Sequence, residues 1–173
     1  MELLSAVDYR PTVSATIELR VVGTGDDEFA TEAWELKERI RREEGVLKQR
    51  RGFFMDAYRR STVYALVERC GDEDALVGFA AVRRDGYVLF LAVTPTHRGE
   101  GYGKRLVAEV ADDYSTVSCH ARTTNEDALA FYDHVGFTIE RRVDNYYEDR
   151  GDAYYLKLGD GSLTEKLSRL VRR

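Results

Sequence analysis

The sequence predicts an α/β fold in which a central mixed, mostly antiparallel sheet is flanked by helices. Three observations carry this. Hydrophobic spacing switches between the helical and the strand period several times along the chain. An Asp85-Gly86 pair separates two strand-like runs, and a glycine-rich turn directly follows the most apolar of those runs.

In chain order, residues 15–22 (ATIELRVV) read as a strand, and Asp26 and Asp27 suit the start of a helix through capping and the dipole. Phe29, Ala33, Trp34, Leu36 and Ile40 recur at helical spacing, which predicts a helix over 26–43 that Gly45 ends. A second helix over 47–58 follows from Val46, Leu47, Phe53, Phe54 and Ala57, with Gly52 as its weak point. Val63, Ala65 and Val67 then alternate with Tyr64, Leu66 and Glu68 as a strand, and 75–84 form another. Asp85-Gly86 tolerates the positive φ of a two-residue hairpin. Tyr87 to Val93 is apolar on both alternating faces, so it is expected at the centre of its sheet. The rest reads as a helix over 101–114, a strand over 116–121, a helix over 125–134, and strands over 137–146 and 152–158. Leu163, Leu167, Leu170 and Val171 share a helical face in a C-terminal extension, 161–173, that either packs on the domain or docks another protein.

At 173 residues the chain is expected to be one domain, 1–173. With 43% hydrophobic and 33% charged residues it has enough apolar material for a core. No apolar run approaches the roughly 18 residues of a membrane span, and the first residues lack a signal region, so a cytoplasmic location is expected, with no membrane partner. Twenty-six basic against 31 acidic residues argue against nucleic acid as a partner. The arginines at 39, 41, 42, 50, 51, 59 and 60 are either a solvated face, interspersed with Glu38, Glu43 and Glu44, or a partner patch. Cys70 and Cys119 form no disulfide framework and show no zinc-ligand spacing, so no metal is expected. Nothing in the sequence specifies an oligomeric state.

After the central strand the chain reads Val93-Thr94-Pro95-Thr96-His97-Arg98-Gly99-Glu100-Gly101-Tyr102-Gly103-Lys104. A glycine-rich turn entering a helix presents unpaired N–H groups and a positive dipole end to an anion, although a structural turn has the same composition. A Walker loop would need Ser or Thr where Arg105 stands, and the dinucleotide fingerprint has a different spacing. The loop resembles the Arg/Gln-x-x-Gly-x-Gly/Ala loop of the GNAT N-acetyltransferase superfamily, matched by Arg98, Gly101 and Gly103. A second string, from Asn125 through Ala128, Phe131 and Tyr132 to Gly136 and Phe137, is similar to that superfamily's N-x-x-A-x-x-F-Y-x-x-x-G-F signature.

The resemblance implies a GNAT-like fold and acetyl-CoA as cosubstrate. It implies that backbone from Arg98 through Gly99, Glu100, Gly101, Tyr102 and Gly103 to Lys104 holds the pyrophosphate, and that Val93 directs an amide at the thioester carbonyl. Asn125 serves as helix cap, cofactor contact or both. Tyr132 is then the acid for the departing thiolate, as well as a cofactor contact; without the resemblance it is an ordinary amphipathic aromatic. His120 alternates with Cys119 and Ala121 on its strand and is the candidate base, where an isolated histidine would be read as structural.

Residues 60–158 further resemble the branch that acetylates protein α-amines. That likeness implies Tyr87 as a partner of His120 in deprotonation, against a plain hairpin-flanking aromatic. It also implies Tyr146 and Tyr147, in the string Asn145 to Tyr154, as contacts to the acceptor's first residues. The expected acceptor is a protein or peptide N-terminus; a small amine such as a polyamine or antibiotic is the alternative, and a non-catalytic acyl-CoA-binding module a third. The chain departs from the branch at Glu44-Gly45-Val46-Leu47, which lacks an aromatic-Pro pair and leaves the first-residue preference open.

Overall fold

The computed structural model describes residues 15–159. The predicted C-terminal extension, 161–173, lies outside the described residues. Strand β1 (Thr16–Val22) leads to helices α1 (Ala30–Glu44) and α2 (Arg51–Arg59), then to β2 (Thr62–Cys70), β3 (Glu73–Val82) and β4 (Val88–Val93). A single 3-10 turn (Pro95–His97) precedes α3 (Tyr102–Asp113), β5 (Thr116–Arg122), α4 (Glu126–Val135), β6 (Thr138–Val143) and β7 (Ala153–Gly159).

Two antiparallel sheets result, one ordered β1-β2-β3-β4 and the other β5-β7-β6. They join at one parallel bridge, Tyr87 with Ser118, where the Ser118 N–H donates to the Gly86 carbonyl at 3.1 Å. The expectation that Tyr87–Val93 is central needs correction. β4 ends its ladder, and it is apolar on both faces because separate cores cover the two sides. On one side Phe90 and Ala92 meet Val63, Phe79 and Ala81 under α1 and α2. On the other, Val88 joins Tyr64, Leu66, Leu106 and Val110, the face that α3 and the second sheet cover. The strand period sorts β2 residues between two cores, and in β4 a bulge between Val88 and Phe90 puts these two residues on opposite sides. Phe54 of α2 is fully buried in the first of these, its ring 4.9 Å from Phe90 and 5.5 Å from Trp34 by centroids.

Both early helices start later than the sequence suggested. Asp26 accepts a hydrogen bond from the Glu28 N–H at 3.0 Å instead of capping, Phe29 sits at φ 60°, and the Tyr58 hydroxyl donates to the Glu28 carbonyl, so α1 begins at Ala30. Leu47 at φ 55° excludes the first predicted turn of α2. The freed segment 45–50 is moored by Lys37, whose fully buried ammonium donates to the Gln49 carbonyl, pairs with Glu38 at 3.1 Å and lies 4.6 Å from the Trp34 ring centroid. The predicted strand 137–146 ends at Val143, since Asn145 turns to φ 52° and its N–H bonds Asp152 at 2.9 Å.

The sheet joint depends on Gly86. Its φ is 80°, and a Cβ there would stand 2.1 Å from the Thr116 carbonyl oxygen. Gly71 has φ 69° with nothing within 4 Å. Gly71→Ala is therefore expected to cost only the left-handed backbone penalty, about 1 kcal/mol. Gly86→Ala adds a backbone clash and should cost about 2–4 kcal/mol. Urea midpoints of the two variants check this, and equal losses would deny the joint its structural role.

Candidate active site

β4 and β5 run parallel, touch at their starts and separate toward their carboxyl ends, the position at which α/β sheets bind ligands. A cleft of about 680 Å³ opens there. One wall is the free edge of β4. The Thr94 N–H bonds the Val77 carbonyl at 2.8 Å, so hydrogen-bonding alternation turns the amides of Leu91 and Val93 away from β3. A bulge at Leu89, between the pairs Ala81–Phe90 and Val82–Val88, sets this register.

At the end of β4 the glycine loop enters α3. Gly101 is its N-cap at φ 85°, there is no side-chain cap, and the first intrahelical bond is from the Arg105 N–H to the Gly101 carbonyl. The N–H groups of Tyr102, Gly103 and Lys104 therefore have no partner within the helix, and no acidic side chain occupies the first turn to compete with a bound anion. A Cβ on Gly103 would stand 3.1 Å from the Phe131 ring, so this glycine lets the loop helix pack against α4. Arg98, Gly99, Gly101, Tyr102, Gly103 and Lys104 line the cleft with Val93, whereas Glu100 is exposed and does not line it. Arg98 pairs with Glu44 across the cleft mouth. The sequence did not reveal Thr94 and His97 as a linked pair, Oγ1 to Nδ1 2.7 Å, with His97 lining the cleft.

At the other end of the cleft, His120 lies 2.8 Å through Nδ1 from the Tyr87 hydroxyl, which is 3.2 Å from the Tyr146 hydroxyl. Tyr146 stacks on the imidazole at 4.1 Å and 9°, and Tyr155 approaches at 5.0 Å. Burial disfavours the imidazolium, Arg141 acts in the same direction, and the His120 pKa falls below its ordinary 6.5. Burial and the Tyr146 hydroxyl raise Tyr87 far above the usual phenol value. Tyr132, held between Phe131 and Phe137 at 5.3 and 5.1 Å, is raised by burial and by the nearby Cys119 thiol, itself pushed up to about 12 by burial. Tyr132 and Tyr87 thus keep their protons at neutral pH.

Asn125 both caps α4, its Oδ1 accepting the Ala128 N–H at 3.2 Å, and lines the cleft. Tyr147 lies under the Arg122 guanidinium at 3.9 Å. Arg122 pairs with Asp149 at 2.9 Å, and Asp149 pairs with Lys48 at 3.0 Å, which ties the 144–152 loop to the segment after α1. This link joins residues 101 apart and has no local signature in the sequence. Among the described residues no cluster of His, Cys, Asp or Glu could hold a metal ion, and no helix is long and apolar enough to cross a membrane.

Residues 59–139, which include both the glycine loop and the Asn125–Phe137 string, match the family described as Acetyltransferase (GNAT) domain. N-alpha-acetyltransferase 30 of Saccharomyces cerevisiae is 30% identical over 127 residues, 66% of this chain and 70% of that protein. The chain belongs to the GNAT acetyltransferase family. The chain is also similar to an uncharacterized protein of Mycobacterium leprae, 37% identical over 94 residues. That region is 49% of this chain, which spans only 26% of that relative's length. The GNAT fold recurs in the crystal structure of the NatC complex bound to Gag peptide and CoA, with a TM-score of 0.63 and 23% identity over 83% of this chain and 98% of that one.

Asn125→Ala should lower stability by about 1 kcal/mol through loss of the cap, and Asn125→Asp, which keeps an acceptor oxygen, should not. Thermal unfolding of the pair measures this; equal melting points for Ala and wild type would remove the cap from α4.

Proposed function

We propose that this chain is an acetyl-CoA-dependent N-acetyltransferase that transfers acetyl to the α-amine of protein or peptide N-termini by direct attack. The observation that carries this reading is the His120–Tyr87–Tyr146 chain of polar groups at one end of the cleft, with the glycine loop at the other and the free edge of β4 between them. The relative's name, N-alpha-acetyltransferase, and the peptide and CoA bound to NatC support the acceptor and the cosubstrate.

The residues fit such a cosubstrate. The amides of Tyr102 to Lys104 suit a pyrophosphate, and the Gly101 position admits it closely. The Val93 N–H, turned to the free edge of β4, donates to the oxygen that gains charge as the amine attacks. His120 accepts the amine's proton. With Nδ1–H donated to the Tyr87 oxygen, Nε2 is the accepting nitrogen, and Tyr87 passes its own proton bond on to Tyr146. An α-amine of pKa about 8 is mostly protonated at neutral pH, so such a base matters. Tyr132, which retains its proton, supplies it to the departing thiolate. Tyr146 and Tyr147 line the groove beside the acceptor's first residues.

Turnover of acetyl-CoA against free-α-amine peptides, the same peptides blocked at the N-terminus but carrying Lys, and small amines tests the proposal. Turnover confined to free α-amines is expected; turnover on small amines alone would move the acceptor to that class. His120→Ala should lose more than about tenfold in rate with CoA affinity retained. Because the lowered His120 pKa keeps the imidazole neutral below 6.5, the acid limb of the rate profile should lie below that pH. A limb unchanged in the His120→Ala variant would take His120 out of the base role.

A further inference from the structure

His120, Tyr155 and Arg141 occupy one rung of the second sheet. His120 is opposite Tyr155 in the β5–β7 register, and Tyr155 is opposite Arg141 in the β7–β6 register. The His120 and Tyr155 rings are 5.0 Å apart, and the Arg141 guanidinium lies 4.4 Å from the Tyr155 ring centroid. A bulge in β6 makes the rung. Ile139 pairs with Leu156, the next pair is Arg141 with Tyr155, and Glu140 is left out of register. Without the bulge Glu140 would stand opposite Tyr155, so one extra residue exchanges a carboxylate for a guanidinium behind the ring that touches His120.

Among the described residues the charge at this position has no ion-pair partner, whereas Arg142, the neighbour of Arg141, is held by Asp144 and Asp152. The other cations around His120 are paired. On the β3–β4 hairpin, Arg83 lies 4.7 Å from the Tyr87 ring but is bound to Asp85. On β5 itself, Arg122 is bound to Asp149, which also takes Lys48. Tyr87 from the start of β4, Tyr132 from α4, Tyr147 from the β6–β7 loop and Cys119 beside His120 are all raised by burial, and so stay uncharged at neutral pH; Tyr146 and Tyr155 complete the surround.

We infer that Arg141 is a positioning residue for the reaction: from behind Tyr155 it helps to hold the His120 imidazole in its neutral, proton-accepting form, so that the base survives further into mildly acid solution. The role in the reaction rests on the acetyltransferase reading, while the effect on the charge of His120 does not. A guanidinium is charged at every relevant pH; Arg141 is exposed and solvent screens part of its field, but the half-buried Tyr155 ring fills the space between it and His120, and a second cation forming there is disfavoured through protein more than through water. Burial of His120 acts in the same direction, and Arg141 adds to it.

The test is an NMR titration of the His120 ring in the full chain, which has three histidines; the resonance is assigned by its loss in His120→Gln. Arg141→Gln should move the midpoint to higher pH, Arg141→Glu further, and Arg141→Lys should restore it. In parallel, the ratio of Arg141→Gln to wild-type rate should fall as pH falls, to roughly a two- to threefold deficit near pH 6. Coincident titrations of wild type, Arg141→Gln and Arg141→Glu overturn the inference, as does a rate loss that is the same at every pH. The titration needs no acceptor. If no amine is acetylated, the acetyltransferase reading fails, and the titration still decides whether Arg141 sets the charge of His120.

Discussion

The cleft depends on one contact, the hydrogen bond from the Ser118 N–H to the Gly86 carbonyl, where the hairpin between β3 and β4 presses on the start of β5. Two parallel strands that paired along their length would leave no room for a ligand. Strands held only at their origins diverge, and the cleft walls become strand edges carrying unpaired amides. A glycine with no room for a Cβ is what brings the hairpin close enough to β5, so a turn residue far from the glycine loop sets the opening of the cleft.

Electrostatically the cleft has two unlike ends. Around the glycine loop, backbone amides and the positive end of α3 favour an anion. Around His120, desolvation favours neutral forms, and it raises or lowers each group accordingly: the phenols and the Cys119 thiol rise while the imidazole falls. A neutral imidazole and protonated phenols then arise chiefly from one cause, to which Arg141 adds at His120 and Cys119 at Tyr132. Neither requires a charged partner within the cleft.

Much of this was legible in the sequence, in proportion to how local each feature is. The glycine loop and the Asn125–Phe137 string are contiguous, and their spacing is itself the geometry of a helix start and a helix face. Alternation along β5 separated His120 from Cys119 correctly. The assignment of β4 to the middle of a sheet failed because apolar faces report cover on both sides and say nothing of whether an edge is paired. The starts of α1 and α2 were missed because Phe29 and Leu47 adopt left-handed φ without being glycine, a choice made by tertiary contacts such as the Tyr58 hydroxyl on the Glu28 carbonyl. Rungs across the second sheet, and the Lys48–Asp149 link, depend on registers and loop positions for which no short window carries a signal.

The mooring of the segment after α1 has an evolutionary consequence. Lys37 holds this segment through a backbone carbonyl, that of Gln49, while Val46, Leu47 and Lys48 line the cleft. A carbonyl is present whatever the side chain, so the anchor is indifferent to substitution at the cleft-lining positions Val46 and Leu47. Drift at Val46 and Leu47 can therefore reshape this wall of the cleft while the Gln49 anchor holds; Lys48 is less free, because its side chain pairs with Asp149. The lining of this wall and the anchor beneath it can thus change independently.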